Sequence, residues 1–522
     1  MSPSVKLVEY LFIRLHQLGI RALHGVPGDF NLIALDYVEK CGLEWVGNAN
    51  ELNAGYAADG YARIKGIGAV LTTFGVGELS LANAIGGSRA ENVSVVHING
   101  APSTKVQKSK ASIHHSFGNG DFKVFERVFQ ELTVAHTDLS DPETAPAEID
   151  RVLRECWIQS RPIYINLPTD MVEKAVDGSG LKTPLDLSYP VNDVEEEGLV
   201  TARILKRLYA AQKPVLILDG CIRRARLEHE VDTLVTKSNI PTFVTPMSKG
   251  IINKTYPNFG GLYSGSGSFD SVRSYVESSD CVLSIGSFNS DFNTTGFTTK
   301  LATDKLIDMH TDTVSVGQTT YNVHMRGVIN SLLSQLDSSQ LKVSTEALQL
   351  SRTRANVPSP LENYPESVIT HEYLWEKLSD WLKPNDILVT ETGTSYLGVQ
   401  DTLLPSHTTC ISQTLWSSIG YALPAAQGAA IAARELFSSS SSTPTSASST
   451  SSRRTILFEG DGSFQLTTQS ISDMIRHKLD VIEDESFANS KGLRFVEVKM
   501  PMNDAPITLK KLGIAAAAAN AS

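Results

Sequence analysis

The stretch Gly47–Thr73, GNANELNAGYAADGYARIKGIGAVLTT, joins a helix of small residues to a short run of apolar and β-branched residues. Asn50 is a good N-cap, because its side-chain oxygen can accept a bond from a free backbone N–H of the first turn. The alanines and glycines that follow suit close packing against a second helix. Gly68–Thr73 then predicts a buried strand. The stretch therefore predicts one helix–strand step of a parallel sheet.

The same alternation continues in both directions along the chain. Apolar runs alternate with amphipathic segments, an order typical of β-α-β units with helices on both faces of a sheet. The sequence therefore predicts an α/β protein of doubly wound parallel-sheet domains. The other predicted strands are Val93–Ile98, Ile163–Leu167, Val215–Leu218, Cys281–Ile285, Ile387–Thr390 and Thr455–Phe458.

Two linker-like segments mark candidate domain boundaries. Asp177–Glu197 is rich in Gly, Pro and acidic residues, and Val343–Tyr364 carries prolines in a polar setting. A chain of 522 residues is too long for one ordinary core. We therefore expect three domains, over residues 1–185, 195–345 and 365–522.

The composition argues against binding of nucleic acid or membrane surfaces. Hydrophobic residues make up 41% of the chain and charged residues 20%, as in ordinary globular proteins. The formal net charge is −11, whereas nucleic acids and acidic membranes are bound by basic faces. The five cysteines form no C-x-x-C pair, and Met1–Ile20 has the charges of an amphipathic helix and not of a signal peptide. We expect a cytoplasmic location.

Two loop-like motifs carry residues that can exchange protons. HGVPGDF at His24–Phe30 has the residues of a tight turn, and taken alone it is consistent with an ordinary loop. IHHSFGNGDF at Ile113–Phe122 sets two histidines beside glycines that would let a loop approach a ligand. In an extended segment the two side chains would point in opposite directions, which favours a plain surface pair over a metal site.

Two further motifs place a carboxylate at the start of a helix. Glu51 follows Asn50, where it stabilises the helix dipole or, if the helix packs closely, becomes partly desolvated. GDGS at Gly460–Ser463 follows a predicted strand and precedes the helix-like segment Thr467–Lys478. Its glycines and Asp461 suit a diphosphate and Mg²⁺, but an ordinary turn has the same residues.

Taken together, these motifs resemble those of the fungal-type pyruvate decarboxylase family of thiamine diphosphate enzymes. Thr72–Ser80 (TTFGVGELS), Glu391–Thr394 (ETGT) and Trp416–Gly420 (WSSIG) add to the resemblance, since all stand in the family's order and spacing. The resemblance implies an N-terminal pyrimidine-binding domain, a middle regulatory-type domain and a C-terminal diphosphate-binding domain.

The resemblance implies non-oxidative decarboxylation of a 2-oxo acid, pyruvate to acetaldehyde and CO₂, with thiamine diphosphate and Mg²⁺ as cofactors. In such enzymes the cofactor lies between the N-terminal domain of one subunit and the C-terminal domain of its partner, so a dimer or homotetramer is implied. The residues implied for catalysis are Asp29, Glu51, His114 and His115. Those implied for the cofactor are Glu51, Thr394, Ser417, Ser418, Ile419, Gly460, Asp461, Gly462 and Ser463, with Asp461 also on the metal. The family commonly has Gly where Ser417 stands.

The C-terminal part departs from the family pattern. There a second buried strand after the GDG motif ends in an Asn pair that completes the Mg²⁺ shell. Here His477–Asp480 leads directly to Val481–Ser486, which resembles the family's far C-terminal helix, and Phe495–Val498 reads as the last strand. Asn489 stands near the expected spacing, but the acidic residues before it do not fit a buried strand. We expect an incomplete C-terminal domain that binds the cofactor poorly and decarboxylates slowly or not at all.

A second unusual segment, residues 438–452, consists almost wholly of Ser, Thr, Ala and Pro and predicts a surface loop. It and the missing segment after Asp480 could both come from misread introns in the gene.

Two other functions fit the same motifs. One is a catalytically impaired subunit that pairs with an intact homologue and regulates it, since Glu51 could still complete a partner's site. The other is a related enzyme acting on indolepyruvate or phenylpyruvate. Tyr396 is expected to narrow the pocket and so to favour pyruvate.

Overall fold

A computed structural model describes residues 4–252, 254–344, 346–352, 368–440, 453–479, 496–501 and 504–521. These residues belong to two compact units. The first unit combines Met1–Ser188 with Trp416–Phe495, and the second combines Tyr189–Leu415 with Val496–Ser522. Across the described ranges, we find no helix with the length and hydropathy needed to cross a bilayer.

The strands, in chain order, are β1 Ser4–Lys6, β2 Ala22–Gly25, β3 Glu44–Gly47, β4 Gly68–Thr73, β5 Val95–Ala101, β6 Ala135–Asp138, β7 Ile163–Pro168, β8 Ala175–Asp177, β9 Pro214–Leu218, β10 Thr242–Val244, β11 Phe259–Leu262, β12 Cys281–Ile285, β13 Leu306–Met309, β14 Val314–Val316, β15 Thr319–Tyr321, β16 Ile387–Thr390, β17 Thr409–Ile411 and β18 Thr455–Phe458.

The α-helices, in chain order, are α1 Leu7–Gln17, α2 Leu32–Leu35, α3 Glu51–Lys65, α4 Val76–Ala90, α5 Thr104–Ser109, α6 Val124–Leu132, α7 Ala145–Gln159, α8 Val194–Ala210, α9 Cys221–Arg224, α10 Glu228–Ser238, α11 Asp270–Glu277, α12 Met325–Gln335, α13 His371–Trp381, α14 Thr394–Gly398, α15 Ala422–Ser440, α16 Asp461–Thr467, α17 Ser470–Arg476 and α18 Ile507–Ala521. Single turns of 3₁₀-helix lie between them, among them Val399–Asp401.

The first unit is built on a six-stranded sheet in the order β3-β2-β4-β5-β7-β6. Every neighbouring pair in this sheet is parallel. Strands β4, β5 and β7 are buried along their whole length, because helices cover both faces and their apolar runs need no polar side. The predicted doubly wound architecture is confirmed here.

Helix α3 begins as the sequence predicts. The side chain of Asn50 accepts a hydrogen bond from the backbone N–H of Asn53 at 2.9 Å, and the helix runs from Glu51 to Lys65. Its small residues let α15 approach to backbone contact. A Cβ placed on Gly60 would lie 2.1 Å from the carbonyl oxygen of Ala425, and one on Gly428 would lie 1.8 Å from that of Ala57.

Buried charges join the same two helices. Asp59 of α3 accepts hydrogen bonds from Arg63 at 2.7 Å, Ser88 at 2.8 Å and Tyr421, just before α15, at 2.6 Å. Asp59 is 1% exposed. This carboxylate therefore ties α3, α4 and the start of α15 together through charge-assisted hydrogen bonds.

The second unit contains a seven-stranded sheet in the order β11-β10-β9-β12-β13-β14-β15. The strands from β11 to β13 are parallel, and β14 and β15 continue the sheet as an antiparallel edge. Strands β16 and β17 of this unit form a separate parallel pair. Helix α18 packs through Leu512 against Tyr396 and Leu397 of α14.

Strands β4, β12, β16 and β18 have the bounds that the sequence predicts. The last predicted strand is wrong over the part that can be described, because Val496–Met500 forms neither strand nor helix. Residues 441–452 of the Ser-rich segment and residues 480–495, with Asn489, lie outside the described residues.

Candidate active site

The carboxyl edge of the six-stranded sheet carries the four residues predicted for catalysis. In a parallel sheet the loops that follow the strands meet at one edge, where open α/β sheets bind ligands. Asp29 follows β2, Glu51 follows β3, and the glycines of Phe74–Gly77 follow β4. The loop with His114 and His115 follows β5 and the short helix α5.

Asp29 and the two histidines form one cluster. His114 Nε2 lies 2.5 Å from Asp29 Oδ2, and His115 Nε2 lies 3.8 Å from Asp29 Oδ1. The ring of Phe30 stacks on that of His114, with centroids 5.2 Å apart and planes 10° from parallel. The carboxylate and both imidazoles therefore face one small volume, with their potential ligand atoms within 4.8 Å of one another.

The expectation that the adjacent histidines point in opposite directions is wrong. It assumed extended backbone, whereas His115 has φ of 62° and sits in a turn. This left-handed conformation rotates its side chain to the side on which His114 lies. The His115 carbonyl would lie 2.1 Å from a Cβ on Gly75, so only glycine at that position lets the turn pack onto the loop after β4.

Glu51 occupies the first position of α3 and is partly buried. Its Oε1 lies 3.0 Å from the position that a Cβ on Gly77 would take, and Thr73 borders the same position at 3.1 Å. The carboxylate therefore faces the loop between β4 and α4. A planar ring with an N–H group that entered this cleft could donate a hydrogen bond to the Glu51 carboxylate, whose position is fixed by the capped start of α3.

Glu78 is a buried carboxyl group beside the candidate site that the sequence does not reveal. It is fully buried and accepts hydrogen bonds from the Gly75 N–H at 2.8 Å and from the Tyr164 hydroxyl at 2.9 Å. Burial raises the pKa of Glu78 to about 7. Its carboxyl group anchors the loop that touches both Glu51 and the turn of His115. The motif TTFGVGELS contains it, but the residues alone do not tell an anchoring carboxyl from an exposed one.

The segment Trp416–Gly420 lies in the same unit, against α3 and α4. Ser418 Oγ is 2.7 Å from the Tyr56 hydroxyl and accepts from Asn83 Nδ2 at 3.1 Å. Ser417 has φ of 53°, the left-handed region that glycine adopts most easily, so this backbone would suit the glycine that the resemblance implies at this position. Ile419 is 46% exposed, so its apolar side chain is free to contact a bound ligand.

The GDG turn begins α16. Gly460 is the N-cap of this helix, Asp461 is exposed, and nothing lies within 4 Å of a Cβ placed on Gly462. The turn is held towards α3, because Asn53 Nδ2 donates to the Thr467 carbonyl at 3.3 Å and to Ser470 Oγ at 2.8 Å. Asp461 and Glu51 are thus carried by elements of one unit that contact each other.

The predicted residues are not all brought together by the first unit. Thr394, at the start of α14, belongs to the second unit. Tyr396 is 2% exposed and packs against Phe292, so in this unit its ring is part of the core. Its predicted effect on the size of a substrate pocket is untested.

Among the described residues, the candidate site offers a buried polar group suited to thiamine diphosphate and one carboxylate suited to Mg²⁺. Ser417 Oγ is buried without a hydrogen-bond partner among the described residues, beside the Ser418 and Ile419 positions implied to hold a ring. For the metal, the described part of the GDG turn offers one carboxylate, Asp461. Mg²⁺ commonly takes one or two carboxylates together with phosphate oxygens and waters.

Comparisons with known families give a consistent assignment. The chain matches the thiamine pyrophosphate enzyme N-terminal TPP binding domain over residues 5–124, the central domain over 201–336 and the C-terminal TPP binding domain over 392–483. These matches agree with the predicted three-domain α/β fold, while its exact boundaries stay a prediction.

Individual relatives are similar over most of the chain. It is 49% identical to a pyruvate decarboxylase of Aspergillus fumigatus, over 92% of this chain and 81% of the relative. It is 42% identical to pyruvate decarboxylase isozyme 1 of Saccharomyces cerevisiae, over 91% of this chain and 81% of the relative. A pyruvate decarboxylase of Candida albicans is also 42% identical, with the same two coverages.

Proposed function

Because this chain belongs to the pyruvate decarboxylase family of thiamine pyrophosphate enzymes, we propose that its substrate is pyruvate and its products are acetaldehyde and CO₂. Thiamine-dependent decarboxylation of a 2-oxo acid is the chemistry of the family. The observation that supports the proposal best is the cluster of Asp29, His114 and His115 at the sheet edge that also carries Glu51.

The cluster is built to hold and move a proton. An imidazole changes its charge near neutral pH, and the contact with Asp29 fixes the orientation of the His114 ring. His114 Nε2 can therefore carry a proton towards the substrate carbonyl and take it back on product release. His115 approaches the same carboxylate from the other side, so one proton can be shared among three groups.

Thiamine diphosphate, when bound, supplies a ring that accepts the electron pair released with CO₂. Glu51 would hold the pyrimidine ring through a hydrogen bond to its carboxylate. The backbone at Ser417 and Ser418, with Ile419 as an apolar support, would hold the rest of that ring, and Thr394 is the remaining predicted contact. Gly460–Ser463 would take the diphosphate, whose Mg²⁺ Asp461 would bind.

We further propose that this chain turns over slowly because its metal shell is short of ligands. The alignments leave part of each relative unmatched, since 81% of the relative is covered, and the C-terminal family match ends at residue 483. Both facts support a missing segment after Asp480. An under-neutralised diphosphate would bind weakly, and losing even an outer partner of a metal site costs about 10- to 100-fold in affinity.

Acetaldehyde release from pyruvate by the purified chain tests both proposals. We expect product formation that needs thiamine diphosphate and Mg²⁺ at concentrations at least about tenfold above those that saturate the Aspergillus fumigatus relative under the same conditions. Saturation at the relative's cofactor concentrations would contradict the incomplete metal shell.

Substrate preference and matched variants complete this test. Phenylpyruvate and indolepyruvate are compared with pyruvate, and a higher rate with either would overturn the assignment to pyruvate. Glu51→Gln should abolish turnover, whereas Glu131→Gln, at the exposed end of α6, should leave it unchanged. No product from any of the three acids at saturating cofactor would contradict decarboxylation by this chain and favour an impaired subunit.

We also propose that the chain assembles as a dimer or tetramer and works in the cytoplasm. The family match supports assembly, because the resemblance implies a cofactor held between the domains of two subunits. The composition supports the second. Light scattering of the purified chain and imaging of a tagged copy would check them.

A further inference from the structure

The second unit contains a cavity of about 190 Å³ that plays no part in the proposed reaction. Its walls come from β10 and β11, from the segment Leu348–Arg352 and from the turn Gln400–Leu404. Water occupies about 30 Å³ per molecule in the liquid, so the cavity has room for a ligand of several heavy atoms.

A buried ammonium group lines this cavity. Lys249 is 7% exposed, and its Nζ donates to the carbonyl oxygens of Gln400 at 3.2 Å and Thr402 at 2.6 Å. These carbonyls take two of its three protons and carry no charge. Among the described residues no carboxylate forms an ion pair with it, although a buried charge normally has a partner of opposite charge.

A buried amide stands beside the ammonium group. Gln400 is 5% exposed and lines the cavity, and neither atom of its side-chain amide has a hydrogen-bond partner among the described residues. Leaving such a group unpaired in the interior is unfavourable, because it has lost its hydrogen bonds to water. One N–H of Lys249 and the amide of Gln400 are thus available to the same occupant.

The other residues that line the cavity favour some kinds of anion over others. Lys254 and Arg352 add positive charge, while Asp401 is the one acidic residue among the described residues of the wall. Apolar side chains make up much of the remainder, among them Ile252, Leu350 and Leu404. A multiply charged, strongly hydrated anion would lose too much water in such a setting, whereas a monoanion with an apolar body would bury both parts.

We propose that this cavity binds a small organic carboxylate, with its charge on Lys249, its second oxygen on the amide of Gln400 and its apolar body against the aliphatic wall. The site lies wholly in the second unit, in which no residue of the Asp29–His114–His115 cluster lies. It is therefore independent of the proposed catalytic function.

Calorimetric titration of the full chain with benzoate tests the site. We expect saturable binding that weakens about tenfold or more in Lys249→Met, since a hydrogen bond to a charged group is lost. Lys249→Arg, which keeps the charge and the donors, should retain most of the affinity. Lys237→Met is the matched control, because Lys237 Nζ also donates to a backbone carbonyl in this unit, that of Leu333 at 2.7 Å, but lies outside the cavity.

Further probes separate this site from others. Benzamide, which has the shape without the charge, and inorganic phosphate should both bind much more weakly than benzoate. Equal binding of phosphate, or benzoate binding that survives Lys249→Met but disappears in His114→Asn, would overturn the proposal. Absence of saturable benzoate binding to the folded wild-type chain would overturn it as well.

The pH dependence gives a second readout. Burial lowers the pKa of Lys249 to about 8, so benzoate affinity should fall as the pH rises through about 8, and Lys249→Arg should remove most of that fall. The other charged or titratable groups that face the amine are Asp401, Arg352 and Cys410, and burial raises the pKa of Cys410 above its usual range. An affinity that does not change with pH in the wild-type chain would contradict the role of Lys249.

Discussion

Gly428→Ala tests how closely α3 and α15 pack. The new Cβ would lie 1.8 Å from the carbonyl oxygen of Ala57 and 2.8 Å from the backbone nitrogen of Tyr61. Carbon and oxygen come no closer than about 3.3 Å, so the helices must separate by about 1.5 Å. Overpacking of this kind costs roughly 3 kcal/mol, offset by about 1 kcal/mol of better helix propensity. We expect a net loss of about 2 kcal/mol.

Urea unfolding followed by circular dichroism measures this loss. Gly198→Ala in α8 is the matched control, since nothing lies within 4 Å of its Cβ, and it should gain about 1 kcal/mol. Gly60→Ala, which meets the Ala425 carbonyl from the other helix, should behave like Gly428→Ala. If Gly428→Ala unfolds at the same urea concentration as the wild type or a higher one, α3 and α15 are not in backbone contact.

Three further changes have expected outcomes. Ser417→Gly removes a side chain from left-handed backbone and should stabilise the fold by about 1 kcal/mol in thermal unfolding, whereas a loss would mean that the hydroxyl is needed. Asp59→Ala leaves the buried Arg63 without its nearest carboxylate and should cost about 3–5 kcal/mol in urea unfolding, and a cost below about 1 kcal/mol would contradict that role. Burial raises the pKa of Glu78 from its ordinary value of 4.5 to about 7 in the folded state, so its contribution to the free energy of unfolding is fully present below about pH 4.5 and is lost as the pH rises through about 7, by about 3 kcal/mol. In Glu78→Gln, the free energy of unfolding measured across that pH range should not show this decrease. An unchanged decrease would mean that another group causes it.

Much of the fold follows from the sequence because its signals are local. Asn50 caps α3 through its own side chain, and β4 is an apolar run whose ends are marked by turn residues. The direction of His115 depends on a single backbone torsion angle, which neighbouring residue types do not determine. Glu78 becomes an anchoring group only through Tyr164, which is distant in sequence. Contacts of that kind depend on the packed fold and not on local preference.

The sequence predicts where in the secondary structure the candidate site residues lie, but not which of them come together. The motifs place Glu51 and Asp461 at helix starts, as the structure does. They do not tell that Asn53 joins α3 to the elements after the GDG turn, because that hydrogen bond spans most of the chain. Nor do they place Thr394 in the second unit, since its strand–turn–helix setting looks the same locally as that of Asp461.

The first unit is built from two segments that are far apart in the chain, and this affects how it folds during synthesis. The Gly and Ala face of α3 is made early, but α15, which covers it, is synthesised only after the whole of Tyr189–Leu415. Until then the Gly and Ala face of α3 is uncovered, and α15 of another copy of the chain could pack against it in the same way. Synthesis of several copies on one messenger RNA would therefore favour exchange of this helix between neighbouring copies, which is domain swapping.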